Sequence, residues 1–145
     1  LKDSIAFITP KFVVTQTLNE VYGDGSKVTD ATIERYHQMM LREGNREAVV
    51  SVLQTLTDIN TDGIQQVKVP TLIQWGEKDA WIPLAHAQQF ADEIEGAKLI
   101  TYPGVGHIPM EEIPDETAQD AKKFLMLVIE EPKTIAPKQV TPVVL

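Results

Sequence analysis

Apolar positions recur every three or four residues in the first part of the chain and gather into short continuous runs in the second. Ile33, Tyr36 and Met40 share one face at helical spacing. Val28-Thr29-Asp30 precedes them, and Thr and Asp side chains accept orphan backbone N–H groups, so a helix is expected to begin near Ala31. Gly44-Asn45 breaks that helix and caps the next, where Val49, Val52, Leu53 and Leu56 make a second apolar stripe. Gly23-Asp24-Gly25 reads as a turn. Pro10 interrupts the stretch from Leu1 to Val14, which reads as a short helix or an irregular entry. Residues 1–62 therefore form a mostly helical zone.

The second zone, 63–130, alternates. Val69 to Trp75 is a short apolar run with Pro only near its start, as a strand permits. Pro83 suits the first turn of a helix, and Ala87, Phe90, Ala91 and Ile94 give that helix one apolar face. Gly96 ends it, and Ala97 to Tyr102 is a second strand-like run. Pro114 opens a last helix in which Ala118, Ala121, Leu125 and Val128 are expected to face inward. Strand–helix–strand–helix with short connections predicts a βαβ unit and a parallel sheet. Residues 131–145 carry three prolines and read as an extended tail.

Composition narrows the function classes. The 145 residues suffice for one ordinary domain with a core. A net charge of −8 without a basic cluster argues against nucleic acid and anionic membranes as partners. No apolar run approaches the roughly 20 residues of a membrane span. Without Cys there is no disulfide framework, thiolate nucleophile or Cys-based metal site. Leu1 is not an initiator Met, so the chain is expected to be a piece of a longer parent, and compartment is not legible.

The chemistry sits after the two strand-like runs. Asp79 follows the first in Trp75-Gly76-Glu77-Lys78-Asp79, and His107 follows the second in Pro103-Gly104-Val105-Gly106-His107. Parallel strands of one βαβ unit end on the same sheet edge, where open α/β sheets hold their ligand sites. A carboxylate there can accept from one imidazole nitrogen and fix the tautomer while the other nitrogen takes a proton. Taken alone, a loop Asp is usually a turn former, and a lone loop His is usually structural; the two together after consecutive strands point to catalysis. A zinc site from His86, His107 and Asp79 lacks a supporting His pair. No metal or cofactor is implied.

The run from Val69 to Pro83 resembles the acid loop of α/β-hydrolase fold enzymes, and the run from Pro103 to Glu112 resembles their histidine loop; the match continues to about Ile129. Residues 1–62 look like the helical lid that many of these enzymes carry. The resemblance implies an α/β fold, the C-terminal part of the parallel sheet with helices on its faces, preceded by that lid. It implies Asp79 as triad acid and His107 as general base. The family's nucleophile sits on an elbow, commonly G-x-S-x-G, earlier in the chain. Ser4, Ser26 and Ser51 are in no such pattern, and a full member is roughly twice this length.

The expected function is therefore the C-terminal portion of a hydrolase acting on a small, fairly apolar molecule, with the nucleophile outside this chain. Trp81, Ile108, Tyr36 and Met40 are the candidate substrate contacts. The expected partner is the missing N-terminal half, as a separate chain or a cleaved segment, or a swapped dimer. A non-catalytic scaffold with this fold and an acyltransferase are the alternatives.

Overall fold

The computed structural model describes residues 10–55 and 63–130. The expected tail over 131–145, the start of the entry segment and the junction near residue 60 lie outside these described residues, as does Leu56.

Helix α1 spans Lys11–Val21 directly after Pro10, a longer helix than the interrupted entry expected there. Its buried residues Val14, Leu18 and Val21 fall at helical spacing. A 3-10 turn follows at Gly25–Lys27, where Asp24 accepts from the Ser26 N–H. Helix α2, Asp30–Met40, begins where the capping residues direct: the Thr29 side chain accepts from the Thr32 N–H. Asp30 in the first turn suits the positive end of the helix dipole. Val14, Leu18, Val21, Tyr22 and Ile33 close a small core between α1 and α2. Helix α3, Asn45–Thr55, follows Gly44, whose φ of +81° favours glycine. Its stripe of Val49, Val52 and Leu53 is exposed.

Strand β1 spans Leu72–Gly76, helix α4 Leu84–Glu93 and strand β2 Lys98–Tyr102. β1 starts later than the apolar run because Pro70 has no N–H to donate. The strands pair in parallel, with Leu72 opposite Lys98 through to Gly76 opposite Tyr102. Alternate side chains point to opposite faces. The Trp75 ring meets Phe90 of α4 with centroids 6.4 Å apart. On the other face the Gln74 amide donates to the Tyr102 hydroxyl at 2.6 Å and to the Thr117 carbonyl at 2.9 Å. Helices thus lie on both faces of a parallel sheet, the α/β arrangement.

Short helix α5, Pro109–Glu112, and long helix α6, Pro114–Glu130, complete the described chain. The inward stripe of α6 is rotated from the expected one. Thr117 is buried and Asp120, Ala121, Phe124 and Val128 are half-buried, whereas Ala118 and Leu125 are exposed. The cause is polar: Gln74 bonds the Thr117 carbonyl and the Tyr102 hydroxyl donates to Asp120 at 3.2 Å, which turns that flank toward the sheet. Among the described residues no helix is long and apolar enough to cross a membrane.

Candidate active site

The acid loop and the histidine loop leave the two strands side by side and are laced together by main-chain bonds. Glu77 N–H donates to the Tyr102 carbonyl at 3.0 Å, and Lys78 N–H to the Val105 carbonyl at 2.8 Å. Gly104 turns the histidine loop with φ of +80°. Gly106 has no room for a side chain: a Cβ there would collide with the Val21 carbonyl oxygen and the Gly23 nitrogen. Gly76 faces Val105 and Gly106 with the same lack of room, and Gly23 faces Gly104 and Gly106. Three chain segments therefore meet backbone to backbone at three glycines.

This junction brings Asp79 and His107 together. The Asp79 side chain is 3% exposed, and its Oδ2 lies 2.8 Å from His107 Nδ1. Its Oδ1 accepts the Trp81 N–H at 2.9 Å and the Ile82 N–H at 2.8 Å. The carboxylate is thus pinned by two backbone donors and presents its other oxygen to the imidazole. The His107 side chain is 28% exposed. With Nδ1 engaged, Nε2 is the ring nitrogen left for proton transfer. The Trp81 indole lies against the imidazole, centroids 5.4 Å apart, and Trp75 Nε1 donates to the Ile82 carbonyl at 3.2 Å, holding the acid loop closed.

The other candidate contacts are distributed differently. Ile108 and Tyr36 pack on the helical core between α1 and α2. Met40 is half-buried at the end of α2. The Tyr36 hydroxyl donates to Glu111 at 2.9 Å, beside the Tyr22 hydroxyl at 3.2 Å and the Arg35 guanidinium at 2.6 Å. Burial foremost, and then the Glu111 charge, push Tyr22 up to about 12 and raise Tyr36 in the same direction. His86 is exposed on α4. Among the described residues no three His, Asp or Glu side chains gather as a metal site.

Sequence reasoning assigned no role to Glu111 and Glu112, which end the histidine-loop phrase. The available signal was two consecutive acids on a helix opened by Pro109, whose side chains point in different directions. Glu112 is buried, and its carboxylate accepts the N–H groups of Gly23, Asp24 and Gly106.

An acid and an imidazole meeting at the carboxyl ends of parallel strands, under helices on both faces, define an α/β fold with its polar site at the sheet edge. The chain superposes on a serine hydrolase involved in carbazole degradation with a TM-score of 0.75 and 28% identity, covering 81% of this chain and 48% of that one. In sequence the chain is 31% identical over 107 residues to 2-hydroxy-6-oxo-6-(2'-aminophenyl)hexa-2,4-dienoic acid hydrolase of Metapseudomonas resinovorans, spanning 70% of this chain and 37% of the relative. It is 36% identical over 84 residues to Lipase 1 of Psychrobacter immobilis, spanning 55% of this chain and 26% of the relative. No protein-family model matches. The chain belongs to the α/β-hydrolase fold family, over the part that these likenesses cover. It spans well under half the length of both curated relatives.

Proposed function

We propose that this chain carries the acid and the base of a nucleophile–histidine–acid hydrolase for a small, fairly apolar substrate, with Asp79 and His107 in those roles. The observation that carries the reading is the 2.8 Å contact between His107 Nδ1 and an Asp79 carboxylate already oriented by two backbone N–H groups. Nε2 takes the proton of the attacking nucleophile and returns it to the leaving group; water then attacks the covalent intermediate with His107 again as base. Asp79 holds the tautomer and stabilises the imidazolium. The similarity to a lipase and to a dienoic acid hydrolase supports hydrolysis of esters or related bonds. Trp81, against the imidazole, forms a wall of the substrate site, and Ile108, Tyr36 and Met40 shape the lid side.

The nucleophile comes from a further segment bearing the elbow, joined to this chain or docked on it. Two lines support that: the chain covers 48% of its solved neighbour, and Leu125, Met126, Leu127 and Ile129 leave an apolar strip of α6 exposed beside a two-stranded sheet. The test mixes the chain with its elbow-bearing segment and assays a panel of p-nitrophenyl esters. Turnover that falls at least ~10³-fold in His107→Ala supports the base assignment; unchanged turnover removes His107 from the mechanism. Size-exclusion chromatography and circular dichroism of the chain alone test the docking, which a cooperatively folding monomer would refute.

A further inference from the structure

Glu112 does not touch the imidazole, yet its carboxylate is bonded to the main chain on both sides of it. Oε2 accepts the Gly106 N–H at 2.8 Å and the Gly23 N–H at 3.0 Å, and Oε1 accepts the Asp24 N–H at 2.9 Å. The residue is 5% exposed. Lys27 Nζ bonds the Glu112 main-chain carbonyl at 3.1 Å rather than the carboxylate. A buried charge is costly unless hydrogen-bonded, and amide bonds to an ionised acceptor are the strong kind. Gly106 immediately precedes His107. Gly23 and Asp24 follow the end of α1, whose Val21 carbonyl accepts the His107 N–H at 2.7 Å. One carboxylate therefore holds together the two segments that fix the His107 main chain.

We infer that Glu112 is a positioning residue for His107: its carboxylate keeps the Gly106 amide and the Gly23–Asp24 turn in one register, so that the imidazole stays within bonding reach of Asp79. The consequence for turnover rests on the hydrolase reading above; the consequence for geometry does not. Glutamine has the same shape but one acceptor oxygen, and its NH₂ would face an N–H donor. The cradle cannot then satisfy all three amides, and small misplacements of a catalytic group cost on the order of 10²-fold in rate.

The test uses Glu112→Gln in the full chain with its elbow-bearing segment. Expected are a kcat lower by about 10–100-fold with KM nearly unchanged, and a shifted or broadened downfield proton signal of the His107 Nδ1–H bonded to Asp79. Glu111→Gln, which loosens the lid contacts only, leaves that signal in place. A Glu112→Gln protein with a lower unfolding midpoint but parental kcat and parental imidazole signal overturns the inference, since the residue would then be structural alone. Amide hydrogen exchange of the unmodified protein decides even if the variant fails to fold. The Gly23, Asp24 and Gly106 amides are expected to be protected, and a Gly106 amide exchanging like an open loop overturns the inference. If the parent turns over no substrate, the hydrolase reading fails, while the imidazole signal and the exchange still judge the positioning.

Discussion

The main-chain N–H of His107 donates to the carbonyl of Val21 at 2.7 Å, so the last residue of α1 directly holds the candidate base. The helical zone and the acid–histidine edge are therefore one mechanical unit at this point. Ile108, next in sequence, extends the link by packing on the α1–α2 core; the Glu111 side chain bonds Tyr22, Arg35 and Tyr36 rather than the His107 main chain. Strain introduced in α1 or α2 is expected to reach His107 before it reaches Asp79, which is anchored by its own loop.

Asp79→Asn keeps an oxygen for the Trp81 and Ile82 N–H groups but turns an NH₂ toward His107 Nδ1. That group can only donate, which forces the wrong imidazole tautomer. Turnover of whichever ester the parent hydrolyses is expected to drop at least ~10³-fold with KM little changed. A loss under tenfold in steady-state kinetics would contradict the role given to Asp79.

Gly106→Ala places a methyl group against backbone atoms of Val21, Tyr22 and Gly23, none of which is a flexible side-chain end. The expected cost is ~2 kcal/mol or more. Gly63→Ala is the contrast: among the described residues nothing lies within 4 Å of its Cβ position, and its φ of −87° suits any residue. That change is expected to stay under ~1 kcal/mol. Denaturant unfolding of the two variants beside the parent, each assembled with its elbow-bearing segment, measures the difference.

Tyr22 keeps its proton to about 12 in the folded state, against 10.0 for an exposed tyrosine. Below pH 10 both states hold the proton and the contribution of this hydroxyl to stability is complete. As pH rises from about 10 to about 12, the unfolded chain releases the proton while the folded one retains it, so stability falls. Tyr36 acts in the same direction. Tyr22→Phe is expected to flatten the alkaline fall in the unfolding midpoint; an unchanged slope would count against the Tyr22–Glu111 bond.

Thr29→Ala removes the hydroxyl that accepts the Thr32 N–H at 3.1 Å. The start of α2 should then fray, at about 1 kcal/mol. Thr29→Ser should retain most of the stability in the same thermal melts.

The start of α2 at Thr29, the turn at Gly44 and the placement of Pro83 and Pro114 at helix starts were legible because each depends on neighbours a few residues away. The Asp79–His107 pair was legible for a different reason: two strand-ending phrases in one βαβ unit share an edge by topology. The substrate-contact candidates were less so, since side-chain type alone does not say that Tyr36 commits its hydroxyl to Glu111. The face of α6 was read in part: Ala121 and Val128 are half-buried as expected, but Ala118 and Leu125 are exposed because Thr117 and Asp120 turn inward to polar partners on the sheet, which an apolar count overlooks.

Local chemistry along the chain specified the helices, the parallel pair and the acid and histidine loops, because capping, periodicity and strand direction act over short spans. Folding in three dimensions assigned the rest. Glu112 meets Gly23 across 89 positions of sequence, and Gly106 is glycine because another backbone passes where its side chain would stand. Close packing between distant segments leaves no periodic trace, so those constraints became readable once the segments were seen side by side.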